Sequence, residues 1–103
     1  MVDKSVIKKV RAYTRIIRDR FPVKRVILFG SFARGKNRTD SDIDVAVIMK
    51  KEPDDILQTE VELFRLRRSI DVRIEPKLVD DTIDLSGFLE EISRYGKIIY
   101  SES

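Results

Sequence analysis

The chain has 103 residues, 42% of them hydrophobic and 38% charged, with a net charge of +3 and neither cysteine nor histidine. That length supports one core, and so a single domain over residues 1–103, of soluble globular type. The missing residue types exclude disulfides, thiol nucleophiles, histidine-based triads and the usual zinc sites, which leaves acid–base or metal chemistry to carboxylates.

Residues 4–20 read as an amphipathic helix, with Val6, Val10, Tyr13 and Ile17 at helical spacing. Asp3 or Ser5 can cap its start and Pro22 stops it. Its other stripe, Lys4, Lys8, Arg11, Arg15 and Arg18, is either a solvated face or a docking face for an acidic partner. Lys24–Phe29 is the first strand, a continuous apolar run that ends at Gly30. Ser31 can cap a short helical turn through Ala33 and Arg34, whose N–H groups suit an anion. Gly35–Ser41 is a polar loop that substrate would order.

Ser41–Met49 is the second strand. Alternation puts Asp42, Asp44, Ala46 and Ile48 on one face and Ile43, Val45, Val47 and Met49 on the other. Asp54 or Asp55 then caps a helix to about Arg68, whose apolar face is Leu57, Val61 and Phe64, with Ile56 and Leu63 beside it. Ile70–Glu75 is the third strand, with Asp71, Arg73 and Glu75 on its charged face. Pro76–Asp84 is a connector, and Leu85–Tyr95 a last amphipathic helix closed by Gly96. Ile98–Tyr100 forms a short edge strand or a packed tail. The order is that of an α/β domain with a sheet of three to four strands covered by helices.

Chemistry concentrates between Gly30 and Asp44. The Gly-Ser turn lets backbone approach a phosphate closely. Asp42 and Asp44 stand at the mouth of an interior strand. Two carboxylates about 6 Å apart repel by roughly 3 kcal/mol at an effective dielectric near 20. A hard divalent cation relieves this, and Mg²⁺ favours one or two carboxylates plus substrate phosphates. Such a pairing is what phosphoryl or nucleotidyl transfer requires. Charge divides accordingly. Residues 1–39 hold twelve of the 21 Lys/Arg and two of the 18 Asp/Glu, leaving nine and sixteen for residues 40–103. The basic part attracts phosphates or an acidic partner, the acidic part metal.

Gly-Ser, ten residues, then Asp-x-Asp resembles the signature of DNA polymerase β-like nucleotidyltransferases. The fuller run Gly-Ser-Phe-Ala-Arg-Gly followed by Ser-Asp-Ile-Asp resembles the small subfamily of minimal nucleotidyltransferases. The resemblance implies a mixed sheet and transfer of a nucleoside monophosphate, with ATP favoured as donor. It gives Asp42 and Asp44 two Mg²⁺ ions to hold. It gives Ser31 the terminal phosphates, with Gly30 allowing the approach; the basic residues Arg34, and after it Lys36 and Arg38, are candidate phosphate contacts. It places a third catalytic carboxylate on the third strand, where Asp71 matches best and Glu75 is the fallback.

Nearly the whole chain is spent on such a core, so the acceptor is expected to be another protein bound across a surface. Minimal nucleotidyltransferases commonly serve as antitoxins of HEPN-domain toxins, in hetero-oligomers, some by adding AMP to a toxin tyrosine. The competing readings are an antitoxin that neutralises by binding alone, a nucleic-acid module built on the basic first helix, and a small-molecule transferase. Scarce aromatics weigh against base stacking. With no apolar leader and no run long enough to span a bilayer, a cytoplasmic protein is expected.

Overall fold

Eight described elements and a mixed sheet emerge from a computed structural model that describes residues 3–35, 38, 40–79 and 94–102. Helix α1 (Lys4–Arg18) is capped by Asp3, whose carboxylate accepts from the Ser5 N–H at 2.8 Å. Strand β1 (Val23–Phe29) leads into a five-residue helical turn, α2 (Gly30–Arg34), then strand β2 (Ile43–Met49). Helix α3 (Ile56–Leu66) is capped by Asp55, which accepts from the Gln58 N–H at 2.9 Å. A 3-10 turn (Arg67–Ser69) precedes strand β3 (Ile74–Val79), and strand β4 (Lys97–Ser101) closes the sheet.

Strand order is β3-β2-β1-β4. β1 runs antiparallel to β2 and to β4, while β2 and β3 are parallel. The expected alternation along β2 holds. Ile43, Val45, Val47 and Met49 join the larger core with Val6, Val10, Tyr13, Ile17 and Leu63, so α1 and α3 cover that face. Ala46 and Ile48 join a second cluster on the other face, with Ile27, Phe29 and Val79. Burying these branched and aromatic side chains stabilises the fold by about 1.5–3 kcal/mol each. Tyr13 also ties the two helices: its buried hydroxyl donates to the Leu63 carbonyl at 2.7 Å, one of the last carbonyls of α3.

Three expectations change. The third strand begins at Ile74 rather than Ile70. The residues between are a turn in which the N–H groups of Ile70 and Asp71 both donate to the Arg67 carbonyl, at 3.0 and 2.9 Å. The strand also runs through Pro76, because β3 is an edge strand and proline can turn its missing donor outward. In α3 it is Thr59 and Leu63 that are buried, whereas Leu57 (73% exposed) and Val61 (46%) face away from the core. The last helix, Leu85–Tyr95, and the connector from Asp80 fall mostly on residues outside those described. Among the described residues no helix is long and apolar enough to cross a membrane.

Candidate active site

Three chain segments meet at one end of the sheet. β1 ends at Phe29, which lies opposite Asp44 of β2 in the antiparallel register. Asp44 in turn lies opposite Glu75 of β3 in the parallel register. Neighbouring strands sit about 4.8 Å apart, and residues in one row point to the same face. Asp44 and Glu75 therefore stand side by side on the face away from α1 and α3.

Gly30 follows Phe29 with φ +75°, the left-handed region that a side chain rarely adopts. A Cβ built on Gly30 would collide with the Asp44 carboxylate, whose Cγ would be 3.0 Å away. The glycine is thus required twice, by its backbone angle and by contact with the acid. It brings peptide backbone directly against Asp44. α2 then ends at Gly35 with φ +72°, whose N–H donates to the Phe32 carbonyl at 3.3 Å.

The helical turn starts at Gly30, with Phe29 in the cap position and no side-chain cap bond. Ser31, half-buried, lies inside the first turn rather than capping it. Arg34, exposed, sets its guanidinium 4.6 Å from the centre of the Tyr95 ring, a cation–π contact. Asp42 is exposed just before β2. The loop before it is braced by a residue the sequence reading passed over. The Ser41 hydroxyl accepts from the Arg38 N–H at 2.7 Å, and the Ser41 N–H donates to the Arg38 carbonyl at 3.1 Å. Serine ahead of an Asp-x-Asp pair was the available signal for such a turn. Lys36 lies outside the described residues.

Asp71 does not stand in the row of Asp44 and Glu75. It precedes β3 and is 11% exposed, gripped by Lys9 of α1 at 2.9 Å and by Arg73, whose Nη2 is also 2.9 Å away. Its other oxygen accepts the Arg73 backbone N–H at 2.8 Å. The Arg73 guanidinium, with that N–H and Lys9, outweighs partial burial and holds the Asp71 carboxyl far below the usual carboxylate range. The physical reason it departs from expectation is the turn. Ile70–Arg73 is not extended, so alternation cannot carry Asp71 onto the sheet face.

Glu75 is the contrast. Its Oε2 is buried and has no hydrogen-bond partner among the described residues. A carboxylate oxygen so placed, beside a second carboxylate, is where a bound cation would offset the cost of buried charge. No group of three or more acidic side chains near enough to hold an ion together occurs among the described residues. Asp44 and Glu75 nonetheless match the donor set of Mg²⁺, which completes its shell with water and phosphate oxygens.

The family model described as Polymerase beta, Nucleotidyltransferase matches residues 12–103. A relative from Methanocaldococcus jannaschii, named "Putative protein adenylyltransferase MJ0141", is 36% identical over 85 residues, which are 79% of this chain and 81% of the relative. A solved toxin–antitoxin pair, MntA-HpeT with the mutation Y104A, matches with a TM-score of 0.67 and 25% identity, covering 90% of this chain and 72% of that one. A toxin–antitoxin structure with AMP-PNP has the same fold, with a TM-score of 0.68 and 24% identity over 91% of this chain and 73% of that one. The arrangement of Gly30, Asp44 and Glu75 thus occurs in a chain that belongs to the polymerase β nucleotidyltransferase family, and the protein is a nucleotidyltransferase.

Proposed function

We infer that the protein transfers AMP from ATP to a hydroxyl of a partner protein, releasing pyrophosphate, and that it acts as the antitoxin of a HEPN-domain toxin with a toxin tyrosine as acceptor. One observation carries the reading. The left-handed Gly30 lays backbone against Asp44, and Asp44 lies beside a Glu75 whose buried Oε2 lacks a hydrogen-bond partner among the described residues. The name of the M. jannaschii relative supports protein adenylylation, and the MntA-HpeT neighbour supports a toxin partner.

In this reading Gly30, Ser31 and Arg34 bind the β and γ phosphates and hold the leaving group in line with the acceptor oxygen. Asp42, Asp44 and Glu75 are the residues that would hold two Mg²⁺ ions. Bound there, the ions would lower the acceptor's pKa and balance charge on the α-phosphate and the pyrophosphate. Glu75 takes the third place because Asp71 is already neutralised by Lys9 and Arg73. The acceptor hydroxyl gives up its proton as its oxygen bonds to the α-phosphorus. The bond from that phosphorus to the bridging oxygen breaks, and pyrophosphate leaves with the electron pair. Glu75, whose Oε2 accepts no hydrogen bond among the described residues, receives the proton.

The test is mass spectrometry of the toxin after incubation with this protein, ATP and Mg²⁺. The toxin should gain whole AMP units, and Asp44→Asn should abolish the gain. Neutralisation with no added mass, equally strong with Asp44→Asn, would mean an antitoxin that works by binding.

A further inference from the structure

Tyr95 is the one exposed aromatic ring among the described residues, at 45%. It stands two residues before Lys97, which opens β4 opposite Leu28 of β1. The two strands run antiparallel, so the chain entering β4 lies beside the chain leaving β1. That places Tyr95 at the sheet end where α2 carries Gly30 to Arg34. The Arg34 guanidinium sits 4.6 Å from the centre of the Tyr95 ring. Arg94 approaches the same ring at 6.0 Å, the outer limit of such an attraction, so Arg34 is the cation the ring holds best.

An exposed arginine samples many rotamers, and a ligand that needs one of them must offset the lost freedom. A ring against the guanidinium removes part of that search before the ligand arrives. Cation–π attraction at an exposed site shifts an equilibrium about two- to fivefold. It draws on the charge and the ring face, and it consumes none of the N–H donors that grip phosphate. A contact that only fastened the segment before β4 to α2 would serve stability, and its loss would weaken every ligand alike. A contact that orients Arg34 is felt only by ligands carrying the phosphates that Arg34 reaches.

We propose that Tyr95 is a positioning residue, whose ring holds the Arg34 guanidinium toward the β and γ phosphates of the bound nucleoside triphosphate. The inference rests on the assignment of Arg34 to those phosphates. Tyr95 acts through Arg34, by its ring and not by its hydroxyl. A phenylalanine ring therefore serves in its place, and an aliphatic side chain does not.

Calorimetric titration of a non-hydrolysable ATP analogue and of AMP, each with Mg²⁺, tests this on variants shown to be folded by far-UV circular dichroism. Tyr95→Leu should bind the analogue about two- to fivefold more weakly, and Tyr95→Phe should bind it as the wild type does. AMP lacks the β and γ phosphates and should bind to all three alike. Arg34→Ala should also weaken the analogue, and adding Tyr95→Leu to it should cost nothing more. Affinity for the analogue kept in Tyr95→Leu and reduced in Arg34→Ala overturns the proposal and leaves the Arg34 assignment standing. Affinity kept in Arg34→Ala overturns both. Equal losses for AMP and the analogue, a loss in Tyr95→Phe as large as in Tyr95→Leu, or a full further loss in the double variant overturns the proposal as well.

Discussion

Asp44 and Glu75 occupy the same row of the sheet on the parallel strands β2 and β3, pointing to the face opposite α1 and α3. At an effective dielectric near 20, two ionised carboxylates on adjacent strands repel by roughly 3 kcal/mol. Among the described residues Glu75 Oε2 has no hydrogen bond to offset this. Glu75→Gln removes a charge and keeps the shape. The thermal midpoint in metal-free buffer should stay level or rise, while adenylylation falls about a hundredfold or more. Thermal melts and initial rates on one preparation check both halves.

Gly30→Ala should cost function and stability together. The left-handed φ alone costs roughly 1–2 kcal/mol for a residue with a side chain. The added methyl must also displace the Asp44 carboxylate. Chemical denaturation should show at least that loss, and nucleotide affinity should fall. Gly35 is also left-handed, so Gly35→Ala should show the backbone strain as a stability loss of its own.

Asp71→Asn should weaken the fold and spare the chemistry. Its bonds to Lys9 and Arg73 join α1 to the turn before β3. Lys9 is 40% exposed, which screens part of their strength, so the loss at neutral pH is about 1–2 kcal/mol. The sign with pH follows from the depressed pKa. The folded form keeps Asp71 charged at acidities where the unfolded chain is already protonated. Its contribution is full above the ordinary carboxylate pKa near 4 and fades as pH falls toward the lower folded value. The stability gap between wild type and Asp71→Asn should therefore narrow below pH 4, measured by urea midpoints from pH 7 to 2.

Tyr13→Phe should leave the Leu63 carbonyl without its donor inside the core. The expected loss is about 1–3 kcal/mol, with catalysis intact. Burial pushes the Tyr13 phenol well above its ordinary pKa, so tyrosine titration should show Tyr13 resisting ionisation until the protein unfolds.

Much of this was legible because β2 obeys a simple period. Ile43 to Met49 alternate between two buried layers, and the motif before them fixes where Gly30 and Asp44 meet. The misreadings arose where local pattern competed with tertiary context. Ile70–Glu75 alternates as a strand would, but the 3-10 turn and the Asp71–Arg73 bonds use those residues as a bend. That shift takes Asp71 out of the sheet row in which Asp44 and Glu75 stand. Pro76 looked like a stop and is accommodated on an edge. In α3 the most apolar stripe, Leu57 and Val61, faces away from the core. The core instead uses Thr59 and Leu63, because the Tyr13 bond and the Thr59 hydroxyl, donating to the Asp55 carbonyl at 2.9 Å, satisfy polar groups on that side.

The central claim is that Gly30, Asp44 and Glu75, and not Asp71, form the metal–nucleotide site. Calorimetric titration of a non-hydrolysable ATP analogue with Mg²⁺ into wild type, Asp44→Asn, Glu75→Gln and Asp71→Asn tests it most directly. Wild type and Asp71→Asn should bind alike, and the other two should lose tenfold or more. Binding lost in Asp71→Asn and kept in Asp44→Asn and Glu75→Gln would contradict it.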